Sequence, residues 1–438
     1  HISHLLLSSH RTLHVTIAPM SIQNKRKSPF RWAIILGSIL LAAFLIYLLP
    51  PVRTRVDWRL DLARTYLRGV FNPAGPLPTP EDRPTQAASP TPPPTATPLP
   101  ELPTATPIPT ATPVPTPTPI PGAVALNPPA WELQGPNNCG PASLSMYLRY
   151  YGWEGDQQTI TAVVKPLEED RNVNPEEMVY FVRTHAGWLN AEFRVGGDLD
   201  LLRKLLAAGF PVLIEESFLF NQPYWPNDDL WAAHYLLLTG YDDTAGVFIG
   251  QDSFHGADQR VPYATLDEYW QIFNRVYLLV YLPGQQAALQ SILGDNWDVD
   301  ANRQHALEVA QEETQVEPDN AFAWFNLGSN LVYFENYGQA ATAYDTARTL
   351  GLPQRMLRYQ FGPFFAYFHA HLNADLLALT EYALERTPNS EEALLWHGWA
   401  LYRDGETAKA IEDWRAALEA NPTYVDAQYA LDFVGAAP

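Results

Sequence analysis

The sequence predicts a multidomain chain with four parts: one transmembrane helix, a disordered Pro/Thr stalk, an α+β domain and an all-α region of helical repeats. Three observations support this prediction. An apolar run occupies residues 32–49, a segment rich in proline and threonine covers 73–128, and prolines recur near the end at intervals of 35, 35 and 34 residues. Between stalk and repeats, a helical pattern and two apolar strands predict the α+β domain over 129–284.

The composition excludes several classes of function. Of 438 residues, 47% are hydrophobic, which is enough for two globular domains with cores of their own. The formal net charge is -20, but residues 1–72 hold ten Lys and Arg against two Asp and Glu, so the remainder carries -28. A polyanionic body disfavours nucleic acid as a partner. The single cysteine, Cys139, excludes intramolecular disulfides and zinc sites built from several cysteines.

The N-terminal part is predicted to anchor the chain in a membrane. Residues 1–19 are interpreted as a non-native or mis-started extension, since Met20 opens a basic segment over 20–31 of the kind that precedes a span. The apolar run 32–49 is long enough to cross a bilayer. A cleaved signal peptide is the alternative, but no small-x-small cleavage site follows the run. Residues 50–72 fit an amphipathic helix at the membrane surface or a solvated basic helix.

The orientation in the membrane is taken from the stalk, because positive residues flank the apolar run in similar numbers on both sides. The segment from Pro73 to Pro121 contains 19 of the 40 prolines, in repeats such as PTATPIPTATP, and such a sequence stays extended instead of forming a core. It predicts a stalk across a cell envelope. We therefore expect a single-pass membrane protein with a cytoplasmic N-terminus and an extracytoplasmic C-terminal body.

The C-terminal residues 300–434 show the period of paired-helix repeats, because a proline closes a helical pattern every 34 or 35 residues. The pattern resembles the tetratricopeptide repeat: small residues permit close approach of two helices, and large residues fill the gap. About three units and a leading helix near 301–314 are expected, and the unit around Gly362 and Phe365 departs from the pattern. Such repeats bind a protein or peptide partner, or they only stiffen the chain. The residues that carry the pattern are Trp324, Leu327, Gly328, Leu331, Ala340, Tyr344, Ala347, Leu394, His397, Gly398, Leu401, Ala410, Trp414 and Ala417.

Cys139 is predicted at the N-terminus of a helix. Pro141 suits a first helical turn, and Gly152 ends the pattern. Between them, Leu144 and Leu148 belong to an apolar stripe. Unpaired N–H groups and the positive end of the helix dipole stabilise a thiolate at such a position, which makes the sulfur a usable nucleophile. A buried structural cysteine is the alternative, but it does not need a helix terminus.

A nucleophilic cysteine needs a histidine that is held by a carboxylate or amide. The segment HYLLLTGYDDTAGVFIGQDSF predicts a hairpin with its turn centred on Asp243. His234 lies nine residues before that centre and Asp252 nine after it, so we expect them directly opposite each other, with Cβ atoms about 5 Å apart. The alternative is a surface His–Asp pair. Five residues before Cys139, the amide of Gln134 can donate to an oxyanion, although it can also be a plain loop residue.

The remaining histidines and glycines do not predict a second site. His185 ends a helical pattern that opens at Asn174, and His255, in the loop after the hairpin, is expected to be neither base nor ligand. The pair at 196–197 is expected to form a turn and not a phosphate loop. No set of His, Asp and Glu has convincing spacing for a metal, and no cofactor is predicted.

Four motifs carry a resemblance to a known family. NNCGPASL, GGDLDLLRKLLAAGFPVLIE, AHYLLLTGYDD and QDSF resemble the bacteriocin-processing (double-glycine leader) peptidases, cysteine peptidase family 39, in their stand-alone branch. The resemblance covers roughly Pro129 to Pro283 and implies a papain-like cysteine peptidase fold. It also implies a role for each candidate residue, although the glutamine lies one residue nearer to the cysteine than in the exporter-linked members. The implied catalytic residues are Cys139 as nucleophile, His234 and Asp252 from the sheet, and Gln134 at the oxyanion.

The resemblance implies hydrolysis of a peptide or related acyl bond, with a peptide or protein as substrate. Cleavage of exported leader peptides is not carried over, because the chain has no nucleotide-binding motif and a single apolar span. One alternative is a catalytically weak or inactive adaptor that binds partners through its repeats. Another is an acyl transferase, in which an amine instead of water accepts the acyl group.

Overall fold

The computed structural model describes residues 29–73, 75–82, 119–165, 172–220, 226–227 and 230–438. The predicted extension, most of the basic segment that follows it and the greater part of the predicted stalk lie outside the described residues. The chain divides into two units, His1–Arg68 and Gly69–Pro438.

The described part of the first unit is helical. Helix α1 spans Pro29–Tyr47, and α2 begins at Pro50 and continues to Phe71. The helix predicted over residues 50–72 is therefore present. Within the described stretch of chain, no helix combines the length and the apolar character that crossing a bilayer requires. The transmembrane helix predicted over 32–49 is thus not confirmed.

The α+β domain is built on a seven-stranded sheet in which all strand pairs are antiparallel. The strand order is β2-β7-β3-β4-β5-β6, and β1 pairs with β4. Strands β4 and β5 form the predicted hairpin. The central strands β3 and β7 are almost wholly buried, because helices cover both faces of the sheet. The strands are β1 Ala123–Ala125, β2 Asn190–Arg194, β3 Val212–Leu219, β4 Trp231–Asp242, β5 Val247–Asp252, β6 Gly256–Pro262 and β7 Tyr277–Tyr281.

Two groups of helices form the two cores of this domain. Helices α3, α4 and α5 pack on one face, and α6, α7 and α8 pack on the other. Local signals begin two of these helices: Asn174 and Glu177 form a capping box at α5, where the helical pattern was predicted to open, and Asp198 caps α6. The helices are α3 Cys139–Tyr150, α4 Gln157–Val164, α5 Pro175–His185, α6 Leu199–Ala207, α7 Tyr263–Gln271 and α8 Gln286–Leu293.

The α+β domain is longer than the predicted range 129–284. Strand β1 lies ahead of residue 129, where the sequence predicts stalk. At the other end, Leu289 and Leu293 of α8 are buried in the core beside α6. Both segments escape a sequence-based boundary because they are short and follow proline-rich or polar stretches.

The repeats form as predicted. Helices α10 and α11, α12 and α13, and α14 and α15 pair, with α9 in front and α16 behind. A Cβ atom on Gly328 would lie 2.7 Å from the Tyr344 ring, and one on Gly398 would lie 2.8 Å from Cδ1 of Trp414. The predicted close approach of small to large residues is therefore confirmed. The helices are α9 Val299–Val316, α10 Ala321–Tyr333, α11 Tyr337–Leu350, α12 Gly362–His369, α13 Asn373–Arg386, α14 Glu391–Arg403, α15 Thr407–Ala420 and α16 Val425–Phe433.

The repeats are docked on the α+β domain through α9 and α10. The buried side chain of Asn302 accepts from the Val195 N–H at 3.1 Å and donates to the Val195 carbonyl at 2.9 Å. Asn330, also buried, exchanges hydrogen bonds with Asn274. Because unpaired buried amides are costly, these bonds fix the relative position of the two regions.

Residues 75–82 run along the repeats instead of standing free. Leu77 is buried among the helices of the repeats. Arg348 donates from Nη2 to the Pro78 carbonyl at 2.6 Å, and the Tyr382 hydroxyl donates to the Gly75 carbonyl at the same distance. The start of the predicted stalk is thus a packed segment, which corrects the expectation that the proline-rich sequence contributes to no core.

Candidate active site

Cys139 is the first residue of α3, as predicted. Asn138 is the N-cap, and Cys139 is partly exposed. The residues from Gly140 to Leu148 are buried against the sheet, which fixes the helix axis and hence the position of the thiol. Tyr235 of the neighbouring strand β4 lines a cavity together with Cys139, so the sheet lies beside the thiol.

A network of amide hydrogen bonds holds the loop before Cys139. The buried Gln157 side chain accepts from the Gly135 N–H and from Asn138 Nδ2, both at 2.7 Å. Its Nε2 donates to Glu132 Oε1 at 2.9 Å and to the Leu133 carbonyl at 2.8 Å. Sequence reasoning missed both Gln157 and Glu132. The residues that form these hydrogen bonds are separated by 19 or more positions in the sequence, and no local motif marks them.

His234 and Asp252 meet, although not in the predicted register. The strand partner of Asp252 is Leu236, and the pairing of β4 with β5 shifts between Leu238 and Gly240. His234 therefore lies two residues along from the position opposite Asp252, on the same face of the sheet. From there Nε2 of His234 is 2.9 Å from Oδ1 of Asp252. The expected contact is present, but directly opposed Cβ atoms are not its cause.

The Asp252 carboxylate accepts more hydrogen bonds than predicted. Oδ1 also accepts from the N–H groups of Phe254 and His255, at 2.7 and 3.0 Å, and Oδ2 is 2.8 Å from Nδ1 of His255. Burial opposes ionisation of this carboxyl, but the hydrogen bond and charge of His234 hold its pKa well below the ordinary value. His255, expected to be neither base nor ligand, thus holds the same carboxylate as His234.

The thiol and the imidazole each stabilise the charged form of the other. Burial opposes a thiolate, but the hydrogen bond and positive charge of His234 lower the pKa of Cys139 below its ordinary value. Burial also opposes a charged imidazole, but hydrogen bonds to Asp252 and Cys139 raise the pKa of His234 to about 10. Since Nε2 faces Asp252, Nδ1 is the ring nitrogen left for the sulfur. The arrangement favours a thiolate–imidazolium pair near neutral pH.

Gln134 lies in the loop beside the residue that follows Asp252. Its backbone N–H donates to the Ser253 carbonyl at 2.9 Å, and its Oε1 accepts from the Ser253 hydroxyl at 2.8 Å. Because Oε1 is the acceptor in this bond, the amide NH2 remains as the donor end. The oxyanion role of Gln134 stays a prediction.

Two buried glutamates lie next to the site and were missed from the sequence. Glu216 is the strand partner of His234, and Glu215 precedes it in β3. Burial raises the pKa of Glu216 to about 7, and burial with the nearby Cys139 charge raises the pKa of Glu215 well above the ordinary range. Two consecutive acidic residues in the otherwise apolar PVLIEES strand were the available signal.

A cavity opens at the sulfur. Strands β3 and β4 form its floor, the loops before α3 and α5 form two sides, and Tyr359 from the repeats completes it. Among the residues that the structure describes, no group of three or more His, Cys, Asp or Glu side chains could hold a metal ion. The lining residues are Asn137, Cys139, Gly140, Asn172, Val173, Glu215, Ala233, Tyr235 and Tyr359.

Comparison with known proteins shows a similarity of this region to one family. Residues 125–278 match the model of the Peptidase_C39-like family. A search of curated proteins gives no match. The resemblance stated from the four sequence motifs is therefore confirmed: residues 125–278 are similar to the Peptidase_C39-like family, and a region of paired helices follows them.

Several solved structures are similar to parts of the chain. One described as a C39-like peptidase from Bacillus anthracis is 20% identical, with a TM-score of 0.29, over 36% of this chain and 97% of that chain. A double glycine motif protease from an AMS/PCAT transporter, in complex with its leader peptide, is 20% identical, with a TM-score of 0.27, over 36% and 94%. A TPR protein with an unusual peptide-binding site is 19% identical, with a TM-score of 0.28, over 34% and 74%.

Proposed function

We propose that the chain is a cysteine peptidase that cleaves peptide or related acyl bonds with Cys139 as nucleophile, His234 as acid and base, and Asp252 as the group that orients His234. One observation carries the proposal. The His234 ring lies between the two other groups: its Nε2 is 2.9 Å from Asp252, and its positive charge lowers the pKa of the Cys139 thiol at the start of α3. This is the arrangement in which a thiol is activated by an imidazole that a carboxylate holds.

The reaction proceeds in two steps. The Cys139 thiolate attacks the substrate carbonyl, the C–N bond breaks, and His234 gives its proton to the leaving amine. Water then attacks the thioester while His234 takes a proton from the water. The C–S bond breaks, the acid product leaves, and the thiolate is restored. We assign the Gln134 amide and the Cys139 N–H as donors to the oxyanion. An incoming amine in the second step would instead give acyl transfer.

The proposal includes a membrane-anchored location. The apolar run 32–49 and the helix over residues 50–72 support an anchor, and the proline-rich segment supports an extracytoplasmic body with the N-terminus inside. We propose that the repeats bind a protein partner and that the substrate is a peptide or protein.

Alkylation of the thiol tests the proposal. Cys139 is the only cysteine, so intact mass counts its label directly. The ion pair predicts that iodoacetamide labels the folded wild type rapidly at pH 6, where an ordinary thiol with a pKa of about 8.5 is mostly protonated. His234→Ala should lose this reactivity at pH 6 and regain it only above about pH 8.

The control is the wild type unfolded in urea, whose thiol should react like that of the His234→Ala variant. Equal rates for folded wild type and folded His234→Ala at pH 6 would reject the thiolate–imidazolium pair. Cleaved peptides should then be identified in a proteome digest incubated with the wild type, with Cys139→Ala as control. A reactive thiol without any cleavage would favour the adaptor or the acyl transferase.

A further inference from the structure

The irregular part of the repeats reaches the cavity at Cys139. The middle unit departs from the repeat pattern and has a 3₁₀ helix over Gln354–Arg358 before α12. Tyr359 follows that helix directly and lines the cavity with Cys139 and Glu215. The two regular units contribute no residue to this cavity among those described. The departure from the pattern therefore coincides with a contact at the candidate active site.

Several contacts fix this segment against β4. Arg355 Nη1 donates to the Trp231 carbonyl at 3.1 Å, and Arg355 is buried. The Trp231 ring, itself buried, lies 5.9 Å from the Tyr359 ring and stacks on Phe273 at 5.7 Å. An arginine with a hydrogen bond and a cluster of three aromatic rings holds a side chain in one position. Tyr359 is thus a fixed wall and not a mobile side chain at the rim.

Tyr359 also lies close to the nucleophile. It shares the cavity with Ala233, the residue before His234, and with Cys139. Burial raises the pKa of the Tyr359 phenol, and the negative charge of Cys139 raises it further. The sulfur is therefore near enough to the phenol for their charges to interact. The phenol remains neutral and keeps its ring against the cavity beside the nucleophile.

We propose that Tyr359 is a specificity-determining residue of the peptidase site, and that its ring limits the size of the substrate side chain that enters the cavity at Cys139. The inference rests on the proposed function, since it assigns a substrate contact to that site. It also gives the repeats a role in the reaction: the segment Gln354–Tyr359 completes a site that the Peptidase_C39-like domain alone leaves open on one side. Part of the substrate site therefore belongs to the repeats.

Substitutions that change the volume of the wall test this. The probes are two chloromethyl ketones, benzyloxycarbonyl-Gly- and benzyloxycarbonyl-Phe-, in which the thiolate displaces chloride and forms a C–S bond. The second-order rate of labelling of Cys139 in the full chain is measured by intact mass. Tyr359→Ala should raise the Phe-to-Gly rate ratio about tenfold, because it removes the wall. Tyr359→Trp should lower the ratio, since a larger ring fills the cavity.

Two matched variants control the experiment. Tyr359→Phe keeps the ring and should leave the ratio within about twofold of the wild type. Tyr429→Ala removes an exposed tyrosine on α16, far along the repeats, and should change nothing. If circular dichroism shows that Tyr359→Ala is unfolded, the Trp variant decides alone.

The outcomes separate the two proposals. If the folded wild type reacts with iodoacetamide no faster at pH 6 than the unfolded chain, the proposed function fails. If the wild type is reactive but the Ala and Trp variants keep its Phe-to-Gly ratio, only the role of Tyr359 fails. Opposite shifts in the two variants support both proposals.

Discussion

The loop before Cys139 and the hairpin that carries His234 are stabilised by different interactions. In the loop, the Gln157 amide makes short hydrogen bonds to backbone and side-chain groups around it. In the hairpin, charge predominates: Asp252 binds two histidines, and the carboxyl of Glu216 is buried at the strand position next to His234. No described group hydrogen-bonds Oε2 of Glu216.

The two regions should therefore respond differently to a change in pH. Amides do not change charge with pH. Burial opposes ionisation of Glu132, the carboxylate of the loop network, but hydrogen bonds from Ser145 and Gln157 outweigh burial and lower its pKa. The loop should therefore hold Cys139 in the same place from about pH 5 upwards. The hairpin and the adjacent strand β3 contain groups whose pKa values lie near neutrality or are strongly shifted, so their stability should change with pH. The loop that carries the nucleophile is thus held mainly by amides, and the base is held by groups that titrate. Three substitutions test this comparison.

Glu216→Gln should have the largest effect on stability, and this effect should grow as the pH rises from about 4.5 to above 7. The pKa of Glu216 is raised from 4.5 to about 7 in the folded state, so the folded state favours the protonated form. Its contribution is fully present below about pH 4.5 and is lost as the pH rises through 7. The wild type and variant should therefore be similar at pH 4, and the variant should be more stable by about 3 kcal/mol at pH 8.

Urea unfolding at the two pH values measures this difference. Glu268→Gln changes the same charge at an exposed position of α7 and should show no such pH trend. An equal effect of Glu216→Gln at pH 4 and pH 8 would contradict a buried titrating carboxyl. It would also weaken the contrast between the hairpin and the loop.

Gln157→Ala should destabilise the chain by about 2 kcal/mol, because it leaves the buried Asn138 amide and the Gly135 N–H without their acceptor. Unlike the effect of Glu216→Gln, this loss should be the same at pH 5 and pH 8. Urea unfolding measures it, with the exposed neighbour Gln158→Ala as control. A loss that disappears at one pH would show that the loop also depends on charge.

Local signals in the sequence predicted much of this structure. The start of α3 at Cys139, the opening of α5 at Asn174 and the packing of Gly398 on Trp414 all depend on neighbours in the same helix or in the next one. The Peptidase_C39-like region could be recognised for the same reason, since its motifs are contiguous stretches of chain.

The remaining features depend on tertiary contacts. The predicted register of the hairpin was wrong, because the shift in strand pairing near Thr239 cannot be read from an alternating apolar pattern. Gln157 resembles any other polar residue at a helix start, and Tyr359 lies in the one repeat unit whose pattern is irregular. The packing of Leu77 on the repeats was missed because the surrounding prolines predict an extended segment. Each of these residues acquires its role only from a distant partner.

His255→Ala should have the smallest effect and tests which histidine acts on the sulfur. His255 is nearly half exposed, whereas His234 is buried beside Cys139, although both contact Asp252. The backbone N–H groups of Phe254 and His255 still hold Oδ1 of Asp252 in the variant. Removing one half-exposed contact to a carboxylate costs about 0.2–1 kcal/mol, so the rate of alkylation of Cys139 by iodoacetamide at pH 6 should fall by only a few-fold. A loss as large as that of His234→Ala would instead mean that the carboxylate needs both rings to sustain the thiolate. The charged network would then extend to the surface of the domain, and the buried His234–Asp252 pair would not be sufficient to activate Cys139.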